Sequence, residues 1–405
     1  MKTRVRRVQS ANKSGAGHFL RSIRLQNILS FGPDGEELEL KPLNVLIGPN
    51  AAGKSNVLNA LRLLRAAPHD IAAPMRGKGG GVSEWLWKGG GVTGGATVEA
   101  VIWSVERERP CRYRIVFGEQ RGRFDLMEET LTDAGKTGRV YFEMLPRRKR
   151  VLVANPGEKS RRLVNIGPNY EPNKSFLAQR QDRSTYPEIS DLTQFLGQIR
   201  FYCDWNMGPH SALRDPQRPD EPQDFLEENA SNLALVLNDL QFRGLGPDLL
   251  GVLQDLSDGV EDIKVKTYGG VVEFYLHERG LSTPTPPGRL SDGTLRYLCF
   301  AAMFCHPDPP SLICLEEPEL GLHPDAIAGV ARMLKTASER CQLIVTTHSP
   351  ELVDALSDTP ESVVVCERTE RGTQMHRLDP KPLKEWVEEY RLGQIWKTGE
   401  IGGRR

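Results

Sequence analysis

The stretch GPNAAGKS, Gly48 to Ser55, decides the fold because it fits the pattern GxxxxGK[ST] of a phosphate-binding loop. It follows the apolar run LNVLI and opens the amphipathic segment NVLNALRLLRAA, so it joins a predicted strand to a predicted helix. In such a loop, backbone N–H groups and the dipole of the following helix attract phosphate oxygens. Lys54 is expected to reach the β- and γ-phosphates and Ser55 to coordinate Mg²⁺. The predicted nucleotide-binding residues of this loop are Gly48, Pro49, Asn50, Ala51, Ala52, Gly53, Lys54 and Ser55.

A second apolar run, SLIC, leads into the acidic stretch LEEPELGLHP. In a phosphate-loop fold, an acid at the end of a neighbouring strand serves the metal. Glu316 is therefore expected at the Mg²⁺ shell, directly or through water, and Glu317 is expected to orient or deprotonate the attacking water. The alternative is an exposed strand end with solvated charges. Glu319 receives no catalytic role, and three interpretations stay open: it holds the turn, it contacts a partner subunit, or it is a solvated turn carboxylate.

Two further motifs fit the same chemistry. His348 follows the apolar run CQLIV in the stretch TTHSP and is predicted to hydrogen-bond a γ-phosphate, although an isolated histidine after a strand is usually structural. Ser291 and Gly293, in RLSDGTLRYL, lie at a predicted helix start, where backbone N–H groups attract an anion. Ser291 is also a good N-cap, and both roles are compatible.

The order GPNAAGKS, LSDGT, LEEPELGLHP, TTHSP resembles the ABC-type ATPases of the SMC/RecF branch, and more narrowly bacterial proteins described as AAA family ATPases. The resemblance covers residues 19–67 and 287–368. It implies ATP and Mg²⁺ as cofactors and an ATP-dependent homodimer in which Ser291 and Gly293 act in trans on the partner's nucleotide. The chain departs from transporter ATPases in its LSDGT signature, in His323 and Pro324, and in having no glutamine assigned to a Q-loop.

The patterns together predict an α/β fold: a P-loop NTPase with an ABC-type head, a mostly parallel sheet flanked by helices, and an inserted β-rich and helical lobe. Short strands between residues 96 and 155 predict antiparallel pairing, and residues 156–182 are predicted to be loop. The predicted domains are a basic flexible tail (1–18), a composite ATPase domain (19–68 and 287–380), the inserted lobe (69–286) and a C-terminal tail (381–405).

The amino-acid composition limits the cellular compartment and the classes of partner that we expect. The 405 residues contain 53 basic and 53 acidic side chains, so the net charge gives no overall cationic surface for nucleic acid. Seven scattered cysteines without a CxxC pair indicate a reducing compartment, and we expect a cytoplasmic protein. The longest apolar run, LRYLCFAAMFC, is too short to span a bilayer, so no membrane partner is predicted.

Three function classes compete. The resemblance favours an ATPase acting in DNA maintenance or phage defence. Basic residues at 146–150, Arg161, Arg162 and the basic N-terminal segment could contact nucleic-acid phosphates, although such clusters are more often solvated surface. The alternative is a nucleotide-gated switch that binds a protein through its inserted lobe. A transporter ATPase is disfavoured by the large insert between the phosphate loop and the LSDGT signature.

Overall fold

The computed structural model describes ten stretches of the chain: residues 19–76, 80–90, 94–104, 109–135, 138–146, 148–154, 161–166, 170–171, 173–256 and 259–402. The predicted basic tail, residues 1–18, lies outside them. In the described residues, no helix combines the length and the apolar character needed to cross a membrane.

The strands in these stretches are, in chain order, β1 (Phe19–Gln26), β2 (Glu37–Glu39), β3 (Leu43–Ile47), β4 (Ala96–Ser104), β5 (Arg109–Gln120), β6 (Arg123–Asp133), β7 (Val140–Leu145), β8 (Arg148–Ala154), β9 (Arg161–Asn165), β10 (Ile199–Tyr202), β11 (Val260–Tyr268), β12 (Val271–Glu278), β13 (Leu312–Glu316), β14 (Gln342–Thr346), β15 (Val363–Thr369) and β16 (Gly372–Arg377). The α-helices are α1 (Lys54–Ala66), α2 (Val82–Trp85), α3 (Phe176–Gln179), α4 (Pro187–Gly197), α5 (Leu233–Phe242), α6 (Gly246–Gln254), α7 (Asp292–Cys305), α8 (Pro324–Ser338), α9 (Pro350–Asp354), α10 (Pro380–Glu389) and α11 (Leu392–Thr398).

A six-stranded sheet in the order β10-β13-β14-β3-β15-β16 forms the centre of the molecule. Its first five strands are parallel, and β16 pairs antiparallel with β15. Consecutive residues of its strands enter two different cores: Val363 and Val365 pack on the side of α5, α7 and α8, whereas Val364 packs on the side of α1. Burial on both faces explains why these strands read as continuous apolar runs.

An eight-stranded antiparallel sheet, in the order β2-β1-β4-β5-β6-β7-β8-β9, covers the α1 side of that centre. The mixed α/β, P-loop-like fold is confirmed, and so is antiparallel pairing between residues 96 and 155. The predicted mostly parallel arrangement holds for the six-stranded sheet alone. Strands before the phosphate loop and strands after it share the larger sheet, and the predicted domain boundaries stay a prediction.

The prediction of a loop over residues 156–182 is wrong in part, because β9 and α3 lie in the described portion of that range. The cause is tertiary: Glu129 of β6, fully buried, accepts hydrogen bonds from the Ser175 hydroxyl (2.6 Å) and from the Phe176 N–H (2.7 Å). Burial raises the pKa of Glu129, against the effect of these hydrogen bonds. A distant carboxylate thus fixes the start of a helix that the local polar composition does not signal.

The predicted C-terminal tail contains α10 and α11. Leu392 and Ile395 of α11 are buried, and α11 packs against α9. The segment after the six-stranded sheet therefore belongs in part to the core.

Candidate nucleotide site

The phosphate loop runs from the end of β3 to the start of α1, as the motif requires. Gly53 caps α1 with φ 100°, a left-handed conformation that favours glycine, and a Cβ there would collide with the Thr373 hydroxyl. Ala51 also has a positive φ, 62°. The loop is therefore folded tightly around a helix start, where backbone N–H groups attract an anion.

Lys54 folds back over this loop. Its Nζ donates to the Gly48 carbonyl (2.8 Å) and to the Pro49 carbonyl (3.0 Å), and the residue is only 5% exposed. Burial lowers the pKa of Lys54, while negative groups nearby, Glu317 and Glu316 among them, act in the opposite direction. The lysine cation is thus held at the loop by carbonyl oxygens, which phosphate oxygens can replace.

The back of the loop is supported by two residues that the sequence did not reveal. The Thr373 hydroxyl donates to the Ala52 carbonyl (3.0 Å) and lies 2.8 Å from Ser30 Oγ. Asn56 of α1 donates to the same Ser30 oxygen, at 2.8 Å. Because Ser30 and Thr373 are far apart in the chain, no local pattern could have connected them to the loop.

Glu316 ends β13 and meets the phosphate loop directly, since the Ser55 hydroxyl donates to its Oε1. A hydroxyl and a carboxylate together are hard oxygen ligands of the kind that Mg²⁺ prefers. The described residues contain no group of three or more His, Cys, Asp or Glu side chains suited to hold a metal. Mg²⁺ at this pair would therefore take its remaining ligands from phosphates and water, which is its usual habit in nucleotide sites.

Glu317 and His348 lie beside this pair. Glu317 has a φ of 47°, a strained conformation for a residue with a side chain, and its N–H donates to the Thr346 carbonyl (2.9 Å). Its Oε1 lies 3.6 Å from His348 Nε2. Burial lowers the pKa of His348, and the charge of Lys54 lowers it further, against the opposing effect of nearby carboxylates. The lowered pKa favours the neutral imidazole, which can donate or accept a hydrogen bond.

Glu319 is not a solvated turn carboxylate. It accepts hydrogen bonds from the Thr347 hydroxyl (2.6 Å), the His348 N–H (2.9 Å) and the Ser349 N–H (3.1 Å). The carboxylate therefore bridges the turn after β13 and the segment after β14. The crowding of three acids in LEEPE is the signal that could have located this bridge.

The LSDGT signature, residues 290–294, begins α7. Ser291 is the N-cap and accepts a hydrogen bond from the Thr294 N–H (3.1 Å). A Cβ on Gly293 would lie 2.7 Å from the Gly321 carbonyl, so this close approach requires glycine. Asp292 pairs with Arg214 at 2.6 Å. Among the described residues, no hydrogen bond or ion pair joins the signature to the phosphate loop, so the structure brings together the predicted site residues except Ser291 and Gly293.

The sequence matches the model of a family described as "AAA domain, putative AbiEii toxin, Type IV TA system", over residues 43–150 and 212–354. These two segments make up more than half of the chain and include the phosphate loop, the signature, the acidic strand end and His348. The chain belongs to this family. No curated protein matches the sequence of this AAA-domain protein.

Solved structures show the same fold in SMC heads. An SMC head bound to the C-terminal winged-helix domain of ScpA matches with a TM-score of 0.57 at 14% identity, covering 90% of this chain and 99% of that chain. A Pyrococcus furiosus SMC head with an extended coiled coil, also bound to a ScpA domain, matches at 0.56 and 14%, covering 92% and 99%. One from Pyrococcus yayanosii matches at 0.55 and 11%, covering 92% and 99%. The AAA-domain protein thus has an SMC head-like fold.

Proposed function

We propose that this protein binds ATP with Mg²⁺ and hydrolyses it to ADP and phosphate, as an ATP-gated homodimer that acts in DNA maintenance or phage defence in the cytoplasm. The observation that carries the proposal is the hydrogen bond between Ser55 and Glu316 at the mouth of the phosphate loop. It joins the two predicted metal ligands although they come from distant parts of the chain. Lys54 lies beside them and the family assignment agrees.

Each site residue then has a role. The phosphate loop and Lys54 bind the β- and γ-phosphates, and Ser55 and Glu316 hold Mg²⁺, which neutralises phosphate charge when bound. Glu317 orients the attacking water and accepts its proton. His348 hydrogen-bonds the γ-phosphate, for which an imidazole with an N–H donor is suited.

The proposed dimer is supported by the separation of the signature from the phosphate loop of the same chain. Ser291 and Gly293 present an exposed helix start with no described link to the phosphate loop of the same chain. A γ-phosphate held by one copy would meet this helix start on the other copy, and ADP lacks the oxygens for that contact. Light scattering of Glu317→Gln tests this step: mass should double with ATP and remain that of the monomer with ADP. Equal mass in both nucleotides would remove the gating.

A nucleotide-gated switch that binds a protein is the second candidate. It is favoured by the solved SMC heads that bind a domain of ScpA, and by the toxin named in the family description. ATP turnover of the purified protein alone, with duplex DNA, with single-stranded DNA and with structured RNA separates the two candidates. Stimulation by a nucleic acid supports the first, whereas ATP-dependent retention of a protein with no such stimulation supports the second.

A further inference from the structure

Glu319 has no part in the function proposed above, yet its hydrogen bonds converge on a single oxygen atom. One carboxylate oxygen, Oε1, receives all three hydrogen bonds, and their donors are the consecutive residues Thr347, His348 and Ser349. Hydrogen bonds to a charged acceptor are stronger than those between neutral groups. The carboxylate therefore fixes the path of the backbone on both sides of His348.

The same segment is held at its two ends. The Thr347 N–H donates to the Leu46 carbonyl of β3 (3.1 Å), and the Ser349 hydroxyl accepts from the Leu352 N–H (3.1 Å) to cap α9. Thr347 and Ser349 are buried, whereas His348 is exposed. Because the backbone is fixed and the neighbouring residues are buried, the exposed imidazole is carried by a rigid segment.

The segment of residues 347–349 also bears on the distance between His348 and Glu317. Glu317 and Glu319 lie on one tight turn, and the Glu317 N–H is bonded to Thr346, directly before the held segment. Glu319 closes the connection from the other side, and Glu317 Oε1 lies 3.6 Å from His348 Nε2.

We propose that Glu319 is a positioning residue for ATP hydrolysis: it holds His348 at the distance from Glu317 that contact with the γ-phosphate and the attacking water requires. This inference rests on the proposed function. Glu319 acts through the backbone of residues 347–349 and touches no reacting atom itself.

Two conservative variants distinguish the effect of side-chain length at position 319 from the effect of its charge. Glu319→Asp keeps the charge but is one methylene shorter, so it loses the hydrogen bonds to the segment. Glu319→Gln keeps the length and an acceptor oxygen. We expect Glu319→Asp to lower kcat by about 30- to 100-fold with KM for ATP within about 3-fold, and Glu319→Gln to stay within about 10-fold of the wild type in kcat.

A double-mutant cycle distinguishes positioning of His348 from a general structural role of Glu319. In a His348→Ala background, Glu319→Asp should change kcat by less than about 3-fold, since the residue it positions is gone. Independent, additive losses would overturn the proposal. So would an unchanged kcat in Glu319→Asp alone.

Amide hydrogen exchange tests the positioning without hydrolysis. The His348 and Ser349 amides should exchange at least about 10-fold faster in Glu319→Asp, while Glu319→Gln keeps most of their protection. Unchanged exchange in Glu319→Asp would overturn the proposal even if the protein hydrolyses ATP. If the wild type releases no phosphate, the proposed function fails, and exchange still decides whether Glu319 holds this segment.

Discussion

The proposed site has two halves: the residues around the phosphate loop and the residues of the LSDGT signature. They differ in whether their polar side chains reach the predicted site residues within a single chain. Lys54 is buried against carbonyl oxygens and Ser55 is bonded to Glu316, so the first half is assembled within one chain. Ser291 is exposed and bonds within its own helix start. In the proposed dimer, the first half is preorganised for nucleotide, whereas the second meets a ligand presented by the other copy.

The largest expected effect is in the first half. Lys54→Ala removes the cation from the loop, so ATP binding should weaken by at least about 100-fold and turnover should fall below detection. Titration with a fluorescent ATP analogue and a phosphate-release assay measure the two effects. Lys381→Ala, which removes an exposed lysine on α10, is the matched control and should behave as the wild type. Normal binding in Lys54→Ala would remove the phosphate-loop assignment.

Glu317→Gln should separate binding from chemistry inside the first half. Glutamine keeps the shape of the side chain but cannot accept a proton, so kcat should fall by about 100-fold or more while ATP affinity stays within about 3-fold. Single-turnover kinetics with a parallel binding titration give both numbers, and Glu339→Gln, at an exposed position, serves as the control. Near-normal turnover would transfer the role of base to Glu316 or His348.

A smaller effect is expected in the second half. Arg214 is nearly buried and donates to the carbonyls of Pro287 (2.8 Å) and Leu290 (2.9 Å), directly before Ser291, besides pairing with Asp292. Arg214→Lys keeps the charge but loses the fork of donors, so kcat should fall by about 10-fold without loss of ATP affinity. Steady-state kinetics and a binding titration check this, with the exposed Arg218→Lys as control. Weakened ATP binding would show that the two halves are not separate.

The sequence predicted the parallel sheet, the order of its motifs and the residues around the phosphate loop, because these depend on local periodicity and on a motif with a known mechanism. It did not predict the extent of the antiparallel sheet. In that sheet β1 pairs with β4, although the phosphate loop lies between these two strands in the sequence, so the pairing depends on tertiary contacts. The bridge made by Glu319 and the support from Thr373 were also missed. Both join residues far apart in the chain: the crowding of acids in LEEPE marks Glu319 but does not identify its partners, and no local pattern connects Thr373 with the loop.

The central claim is that one chain's phosphate loop works with another chain's signature, and mixing two inactive variants tests it most directly. Ser291→Arg should bind ATP but neither dimerise nor hydrolyse it, because the bulky cation blocks closure. In a mixed dimer with Lys54→Ala, one of the two sites keeps both wild-type halves.

We therefore predict that a 1:1 mixture of Ser291→Arg and Lys54→Ala regains turnover, up to about half of the wild-type rate per chain if every chain enters a mixed dimer and the two sites of a dimer act independently. Each variant alone should remain inactive. Differential tags and native mass spectrometry with ATP verify that mixed dimers form. Mixed dimers without any turnover, or full turnover by Ser291→Arg alone, would contradict the account.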